Sequence, residues 1–286
     1  MAEDEEDSKI PKPRENDYFV GQAAAEHAFL KSWASGRLHH AWLLSGPRGV
    51  GKATLAYRIA RFVLSGGPPG LFGAAEIGLD VPSEALIFRQ VRSGGHPDFL
   101  TIERTADEDT KRVRSVIIVD HVRQISEFLH LKAAHGGWRV VIVDEAERMN
   151  QNAAGALLKI LEEPPQRALL LLTSHVPGRL LATIRSRCRQ IALATLNERT
   201  VSDLLDRYAA DQNAADRMLL AKISGGSIGR ALDMAVGGGV EVYKELTTQL
   251  RTWRKIRASD ETSRVASAAP KRLGGAPPLR TKRAMR

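Results

Sequence analysis

Gly46-Pro47-Arg48-Gly49-Val50-Gly51-Lys52 is a glycine-rich stretch that ends in a lysine. It follows a short apolar run, Trp42–Leu44, which predicts a strand, and it opens an amphipathic run, Lys52–Leu64, which predicts a helix. A glycine-rich turn between a strand and a helix is the setting of a phosphate-binding P-loop, whose backbone N–H groups and helix N-terminus surround phosphate oxygens. The sequence therefore predicts a nucleotide site that includes Gly46, Gly49, Gly51 and Lys52, with the lysine reaching toward the β- and γ-phosphates.

The motif lacks one of its usual residues. The complete pattern GxxxxGK[ST] places a hydroxyl directly after the lysine, where it holds Mg²⁺, but this chain has Ala53 there. Thr54 follows, and one residue turns a helical side chain by about 100°. We keep Thr54 as a candidate nucleotide-binding residue and expect ATP or ADP as the ligand, without metal-dependent turnover. The alternative is a glycine turn that serves packing alone.

Two carboxylates, Asp144 and Glu145, follow the predicted strand Val140–Val143. In P-loop enzymes the first acid of such a pair orients Mg²⁺ and the next polarises the attacking water. The alternative is an ordinary strand that stops at a charged turn. Because a P-loop occurs earlier in the chain, we interpret the two motifs together as a P-loop NTPase fold.

Two further apolar runs, Ser115–Val119 and Leu169–Thr173, predict strands. Continuous apolar runs fit strands that are covered on both faces, as in parallel sheets. Helical spacing in His121–His130 and Asn152–Glu162 supplies helices between the strands. The predicted fold class is therefore α/β with a parallel sheet. Ser174 ends one predicted strand and is either a polar sensor of the γ-phosphate or a strand-end cap.

The composition divides the chain into five segments. Asn197 is an acceptable helix N-cap, and three short helical runs follow it with Gly225-Gly226 among them. One more run, from Val242 to Trp253, has helical spacing. We predict, in order, a disordered acidic arm (1–16), a P-loop domain (17–178), a helical lid domain (179–236), a short, truncated helical region (237–257) and a basic, disordered tail (258–286).

The basic character of the chain lies near its end. Residues 251–286 contain eleven lysines or arginines and two acidic residues, so they account for the whole net charge of +9. A solvated, disordered tail is the expectation for this composition. The alternatives are a segment that adds salt-dependent DNA affinity, and an aberrant chain end.

Several classes of protein are excluded by the composition. One cysteine rules out a disulfide framework and a CxxC-type structural zinc site, and we expect this residue, Cys188, to be a small buried core residue rather than a nucleophile. No run approaches about 18 apolar residues, and the acidic N-terminus lacks the hydrophobic run of a signal peptide. We therefore expect a cytoplasmic protein without a membrane partner or a metal site.

A set of short motifs lies between residues 17 and 236. They are Val20-Gly21-Gln22, Arg37–Leu44 before the P-loop, His96-Pro97-Asp98, Val119–Ile125, Ala156–Pro165 with its Leu-Glu-Glu-Pro-Pro sequence, Thr173-Ser174, and Thr183–Cys188. The triplet Ser186-Arg187-Cys188 is the most discriminating of them. Together these motifs resemble one family, the AAA+ subunits of the bacterial clamp loader within DNA polymerase III, and the resemblance covers residues 17–236.

The resemblance implies an ATP-dependent complex that opens a ring-shaped sliding clamp and places it on primed DNA. Its partners would be gamma/tau and delta subunits and, through the complex, the clamp and primer-template DNA. By the family motif, Arg187 would be an arginine finger that reaches the ATP of a neighbouring subunit, since a guanidinium can stabilise charge on a transferring phosphoryl group. The alternative from spacing alone is that Arg185, Arg187 and Arg189 form a solvated basic strand.

Departures from the hydrolysing members of the family point to a non-hydrolysing one. Besides Ala53, the segment Gly226–Gly229 has a glycine where hydrolysing relatives carry a sensor arginine, and the zinc-binding cysteines of many relatives are absent. Asp144 and Glu145 would then be vestigial, and the chain would act as a stator. The rival interpretation is an autonomous or gamma/tau-like ATPase, in which Thr54 or water replaces the metal ligand and Glu145 is the base. A third and weaker one is a DNA-binding module that works through the tail.

Overall fold

The computed structural model describes residues 10–67, 78–103, 116–134 and 137–267, the last with backbone only at 255, 256 and 258–267. The chain forms two compact units, Met1–Gly237 and Gly238–Arg286. None of the helices in the described ranges is long and apolar enough to cross a membrane. The predicted nucleotide-site residues all lie in the first unit.

Five parallel strands form one sheet in the first unit, in the spatial order β2-β3-β4-β1-β5. The strands are β1 Ala41–Ser45, β2 Phe99–Ile102, β3 Arg139–Val143, β4 Ala168–Ser174 and β5 Arg189–Ala192. Because all five run in the same direction, their carboxyl ends lie at one edge of the sheet. The registers place Ser45 opposite Ser174 and Val143 opposite Leu172 at that edge. The predicted α/β fold with a parallel sheet is confirmed.

Ten α-helices occur in the described ranges: α1 Ala23–Ala34, α2 Lys52–Leu64, α3 Leu86–Ser93, α4 Val119–His130, α5 Gln151–Glu162, α6 Ala182–Ser186, α7 Glu198–Tyr208, α8 Ala214–Ile223, α9 Ile228–Val236 and α10 Gly239–Ser267. Side chains cap four of them, because the oxygens of Asn150, Asn197, Asn213 and Ser227 each accept a hydrogen bond from a first-turn N–H. The predicted N-cap Asn197 is confirmed. We call α7, α8 and α9 the lid.

The apolar core forms two layers, one on each face of the sheet. Alternate residues of β1 divide between them, since Trp42 and Leu44 lie in one layer and Leu43 in the other. Helices α1 and α2 cover the first layer through Phe29 and Phe62, among others. Helices α4, α5 and α6 cover the second. Coverage on both faces explains why the strands are continuously apolar.

One predicted strand is wrong, and two were missed. The run assigned to Ser115–Val119 is not a strand in its described part, because Val119 begins α4 and Ile117 makes a single bridge, to Met149. Ile117 is fully buried, so its apolar character reflects burial in a loop. The strand beside β3 is Phe99–Ile102 instead, with two buried positions out of four. Ser115 lies outside the described residues.

The second missed strand, β5, changes the predicted domain boundary. Arg189–Ala192 pairs with β1, so the sheet continues past residue 178, where the sequence placed the end of the P-loop domain. Of its four residues, only Ile191 is buried, which left little apolar signal.

The predicted disordered ends also differ from the structure where they are described. Two residues of the predicted arm are held by α2: the carbonyl oxygens of Arg14 (3.3 Å) and Asn16 (2.9 Å) accept hydrogen bonds from the Arg61 side chain. The end of the arm is therefore hydrogen-bonded to α2, and residues 1–9 lie outside the described chain. Helix α10 forms the described part of the second unit and extends to Ser267, ten residues past Arg257. The rest of the predicted tail lies outside the described residues.

Candidate nucleotide site and arginine finger

The P-loop joins β1 to α2 as the sequence predicted. Gly51 precedes α2 with φ 97°, a left-handed conformation that favours glycine. Gln22 links the loop to the segment after β5, because its Nε2 donates to the carbonyl oxygens of Ala194 (2.7 Å) and Val50 (3.4 Å). The loop is therefore held by segments that lie far away in the sequence.

Lys52 is folded back onto the loop. Its Nζ donates hydrogen bonds to the carbonyl oxygens of Gly46 (3.0 Å) and Pro47 (2.6 Å), and the residue is buried. Burial lowers the pKa of this ammonium group, and the nearby carboxylates, with Glu147 the strongest, oppose that shift. The Lys52 ammonium group thus donates two of its hydrogen bonds to the loop itself.

The acidic pair lies at the carboxyl end of β3, opposite Thr173 of β4. The Thr173 hydroxyl donates to Asp144 Oδ1 (2.5 Å) and accepts from the Glu145 backbone N–H (3.0 Å). Burial raises the pKa of the Asp144 carboxyl, and the Thr173 hydrogen bond partly offsets this. Glu145 has φ 48°, so the chain turns sharply after Asp144.

A cavity of about 360 Å³ brings most of the predicted site residues together. Those in its lining are Gly49, Gly51, Lys52, Thr54, Asp144 and Glu145, and Ala53 lines it as well. Gly46 lies in the same loop, at its start, and its N–H donates to the Ser174 carbonyl (3.2 Å).

Ser174 is not part of the cavity lining, and its neighbour Thr173 is. Successive strand side chains point to opposite faces, so only one of the two can face the loop. Ser174 is fully buried, and its Oγ finds no hydrogen-bond partner among the described residues. The period of two along β4 was a signal that could have identified Thr173.

An apolar wall completes the cavity, and no local sequence pattern indicated it. It consists of side chains from the arm, from the segments before α1 and before α7, and from the lid, namely Ile10, Pro11, Pro13, Tyr18, Phe19, Val20, Leu196, Leu204, Tyr208, Ile228 and Leu232. A polar loop facing an apolar wall suits a ligand with phosphates at one end and a flat, weakly polar group at the other.

The lid lies directly on the P-loop at the start of α9. Ser227 Oγ donates to the Arg48 carbonyl (2.8 Å), and the Gly229 N–H donates to the Gly49 carbonyl (2.9 Å). A Cβ on Gly229 would be 2.8 Å from the Gly49 Cα, so only glycine fits this approach without movement. The glycine that departs from the hydrolysing pattern is therefore a close backbone contact.

Beside Asp144 and Glu145, His175 and Glu147 form a pair that was not predicted from the sequence. His175 Nδ1 lies 2.7 Å from Glu147 Oε1, and the Glu147 side chain is almost fully buried. The His175 backbone N–H donates to the same oxygen (3.2 Å). His175 lines the cavity just after β4, so its pairing with Glu147 holds the imidazole in position there.

Arg187 lies just after α6 and is absent from the lining of this cavity. Its NH2 is 2.9 Å from Glu162 Oε1, and its NH1 donates to the Thr183 carbonyl (3.1 Å). The side chain remains 37% exposed. The alternative interpretation placed Arg185, Arg187 and Arg189 in one basic strand, but only Arg189 lies in a strand, since Arg185 is in α6 and Arg187 directly follows it.

Cys188 is a buried core residue, as predicted. It packs in the second apolar layer, and burial raises the pKa of its thiol to about 12. Among the described residues, no group of three or more His, Cys, Asp or Glu side chains could hold a metal ion.

The sequence model of the family described as "DNA polymerase III, delta subunit" matches residues 21–197. A delta-prime subunit of DNA polymerase III from Pseudomonas aeruginosa is 40% identical over 188 residues, which is 66% of this chain and 53% of that protein. The delta-prime subunit of Escherichia coli is 34% identical over 223 residues, 77% of this chain and 62% of that protein. The chain thus spans between half and two thirds of the length of these relatives.

Other members of the same polymerase assembly also match. The tau subunit of Escherichia coli is 31% identical over 232 residues, 77% of this chain and 33% of that protein. Among solved structures, the RuvB Holliday junction branch migration motor of Thermotoga maritima matches with 18% identity over 82% of this chain and 68% of that chain, at a TM-score of 0.49. The family match covers more than half of the chain, and it shows that the chain belongs to the DNA polymerase III delta subunit family, among its delta-prime members.

Proposed function

We propose that this chain is an AAA+ subunit of the DNA polymerase III clamp loader that does not hydrolyse ATP itself. Its role is that of a stator, which supplies Arg187 to an ATP bound by a neighbouring gamma/tau subunit while the complex loads a sliding clamp onto primed DNA. The other partners are the delta subunit, the clamp and primer-template DNA, in the cytoplasm. Membership of the family supports a place in the DNA polymerase III assembly, and the position of Arg187 supports the stator role.

The observation that carries the proposal is the placement of Arg187. The side chain is outside this chain's own cavity, at the partly exposed end of α6, where a neighbouring subunit can approach it. A guanidinium is planar and permanently charged, and it offers paired N–H groups that match phosphate oxygens. Arg189 is less suited, because its guanidinium packs over the Trp42 ring (5.1 Å) and its NH1 donates to the Ser32 hydroxyl (3.4 Å).

We propose further that the cavity binds ATP or ADP. The loop glycines and Lys52 fit phosphate groups, and the apolar wall fits a nucleobase. The site fits Mg²⁺ poorly, because Ala53 carries a methyl group where the motif has a hydroxyl, and Thr173 already donates its hydroxyl to Asp144. We therefore derive no hydrolytic step in this chain, and Asp144 and Glu145 are vestigial in this proposal.

The test is steady-state ATP hydrolysis with and without the same organism's gamma/tau subunits, clamp and primed DNA. We expect no turnover by this chain alone and clear stimulation of the mixture. Arg187→Ala should abolish the stimulation, since arginine fingers contribute on the order of 10³-fold or more to kcat. Arg199→Ala, an exposed arginine of α7, is the control and should stimulate like the wild type. Full stimulation by Arg187→Ala would overturn the proposal.

A second candidate is an autonomous or gamma/tau-like ATPase. It is favoured by the tau relative and by the presence of Thr54 and Glu145 in the cavity lining. In that case the chain alone would show Mg²⁺-dependent turnover, and Glu145→Gln would abolish it. Absence of turnover by the wild-type chain removes this candidate.

A further inference from the structure

We propose that Glu162 is a positioning residue. It pairs with the Arg187 guanidinium within this subunit until a phosphate of the nucleotide bound by the neighbouring subunit replaces the carboxylate. The inference rests on the proposed function of Arg187 and adds a regulating partner to it. Glu162 is the last residue of α5, and Arg187 is the first residue after α6. Their head groups meet at 2.9 Å.

The two ends of this contact are rigidly supported. Leu161, next to Glu162, and Ile184, one turn before Arg187, are buried in the same apolar layer. The two helix ends therefore keep their positions while the long side chains can rearrange. The head groups themselves are open to solvent, with 51% of Glu162 and 37% of Arg187 exposed.

Both terminal nitrogens of Arg187 are engaged within the subunit. NH2 pairs with Glu162, and NH1 donates to the Thr183 carbonyl. Recognition of a phosphate in the bidentate manner uses two N–H groups of the same fork. The carboxylate therefore competes with a phosphate for these donors, and it cancels part of the positive charge that the phosphate would meet. A carboxylate left beside the phosphate would also repel it.

The competition is weak enough to be reversible. An exposed ion pair contributes little to stability, so a phosphate with its larger negative charge can displace the carboxylate. Removing the competitor should change affinity by roughly 1.5- to 5-fold, the range that corresponds to an exposed pair. Removal of the Glu162 carboxylate should leave the maximal rate unchanged, because the same Arg187 guanidinium contacts the phosphate once it is bound.

The chain provides a matched control in the next residue. Glu163 is exposed and directly follows the same helix, and its side chain forms no ion pair within the described residues. Glu163→Gln removes the same charge from the same surface without touching Arg187. It therefore separates the specific contact from a general change in surface charge.

The experiment measures ATP hydrolysis by gamma/tau subunits, clamp and primed DNA in the presence of saturating amounts of this chain. For Glu162→Gln we expect a KM for ATP that is lower by roughly 1.5- to 5-fold, with unchanged kcat. Glu162→Asp keeps the competing charge and should restore a KM close to the wild type. Glu163→Gln should match the wild type in both constants.

Two results would overturn the inference, and they differ from a failure of the proposed function. If Glu162→Gln behaves like Glu163→Gln, the pair has no role in engagement. If Glu162→Gln lowers kcat or raises KM, Glu162 assists the finger instead of restraining it. The proposed function fails separately, when Arg187→Ala in the same assay stimulates as well as the wild type.

Discussion

Gly229→Ala is expected to destabilise the protein, because α9 touches the P-loop at this residue. A Cβ at position 229 would be 2.8 Å from the Cα of Gly49, and ordinary van der Waals contact begins at 3.4 Å. The helix would therefore have to move by about 0.6 Å. The neighbouring atom belongs to the backbone, so rotation of a side chain cannot relieve the contact.

The size of the effect follows from what the movement disturbs. It stretches the Gly229 N–H to Gly49 O hydrogen bond (2.9 Å) and the Ser227 Oγ to Arg48 O hydrogen bond (2.8 Å). Overpacking costs about 1–3 kcal/mol, and a weakened hydrogen bond about 1 kcal/mol. The better helix propensity of alanine offsets at most about 1 kcal/mol. We expect the free energy of unfolding to fall by about 2 kcal/mol and Tm by about 4–8 °C.

Thermal and urea unfolding followed by circular dichroism measure this change. The control is Gly155→Ala in α5, where the residue is exposed and an added Cβ would meet nothing within 4 Å. That variant should gain about 0.5–1 kcal/mol, the usual benefit of replacing a helical glycine. If Gly229→Ala unfolds at or above the wild-type Tm while the control behaves as expected, the contact between the lid and the P-loop is not tight and the reasoning fails.

Two further predictions concern buried groups near the sheet. Thr173→Val removes the hydroxyl between Asp144 and the Glu145 N–H, so we expect a loss of about 1–3 kcal/mol in urea unfolding at pH 7 and a further rise in the pKa of Asp144 by NMR titration; an unchanged pKa would contradict the geometry. Cys188, with its pKa raised to about 12, is a neutral, buried thiol at pH 8. Its reaction with a thiol reagent at that pH should therefore be slow in the native protein and fast in urea, and a fast native reaction would show that the residue is accessible.

The elements that could be predicted from the sequence are those with strong local patterns. Strands β1, β3 and β4 are continuously buried, and their apolar runs were recognised within one residue at each end. Strand β5 was missed because three of its four residues are exposed. The run ending at Val119 was misassigned because burial of Ile117 in a loop gives the same apolar signal as a strand.

The candidate site divides in the same way. The P-loop and the acidic pair are contiguous in the sequence, so their residue types and spacing were enough to predict them. The contact between Ser227 and Arg48 joins residues 179 positions apart, and no local pattern reports on it. The apolar wall is equally non-local, since the arm and the lid contribute to it together. Arg187 was identified by resemblance, but its pairing with Glu162 depends on the packing of α5 against α6.

Residues 10–17 link two parts of the first unit that lie far apart in the sequence. Arg61 of α2 holds the carbonyls of Arg14 and Asn16, and the Asn16 side chain accepts a hydrogen bond from the Tyr208 hydroxyl of α7 (3.0 Å). The arm thus connects the helix after the P-loop to the first helix of the lid, and these parts should open as one cooperative unit. By thermodynamic linkage, any partner that draws the arm away would change the affinity of the cavity for its ligand. The ligand would then change the affinity of that partner by the same factor.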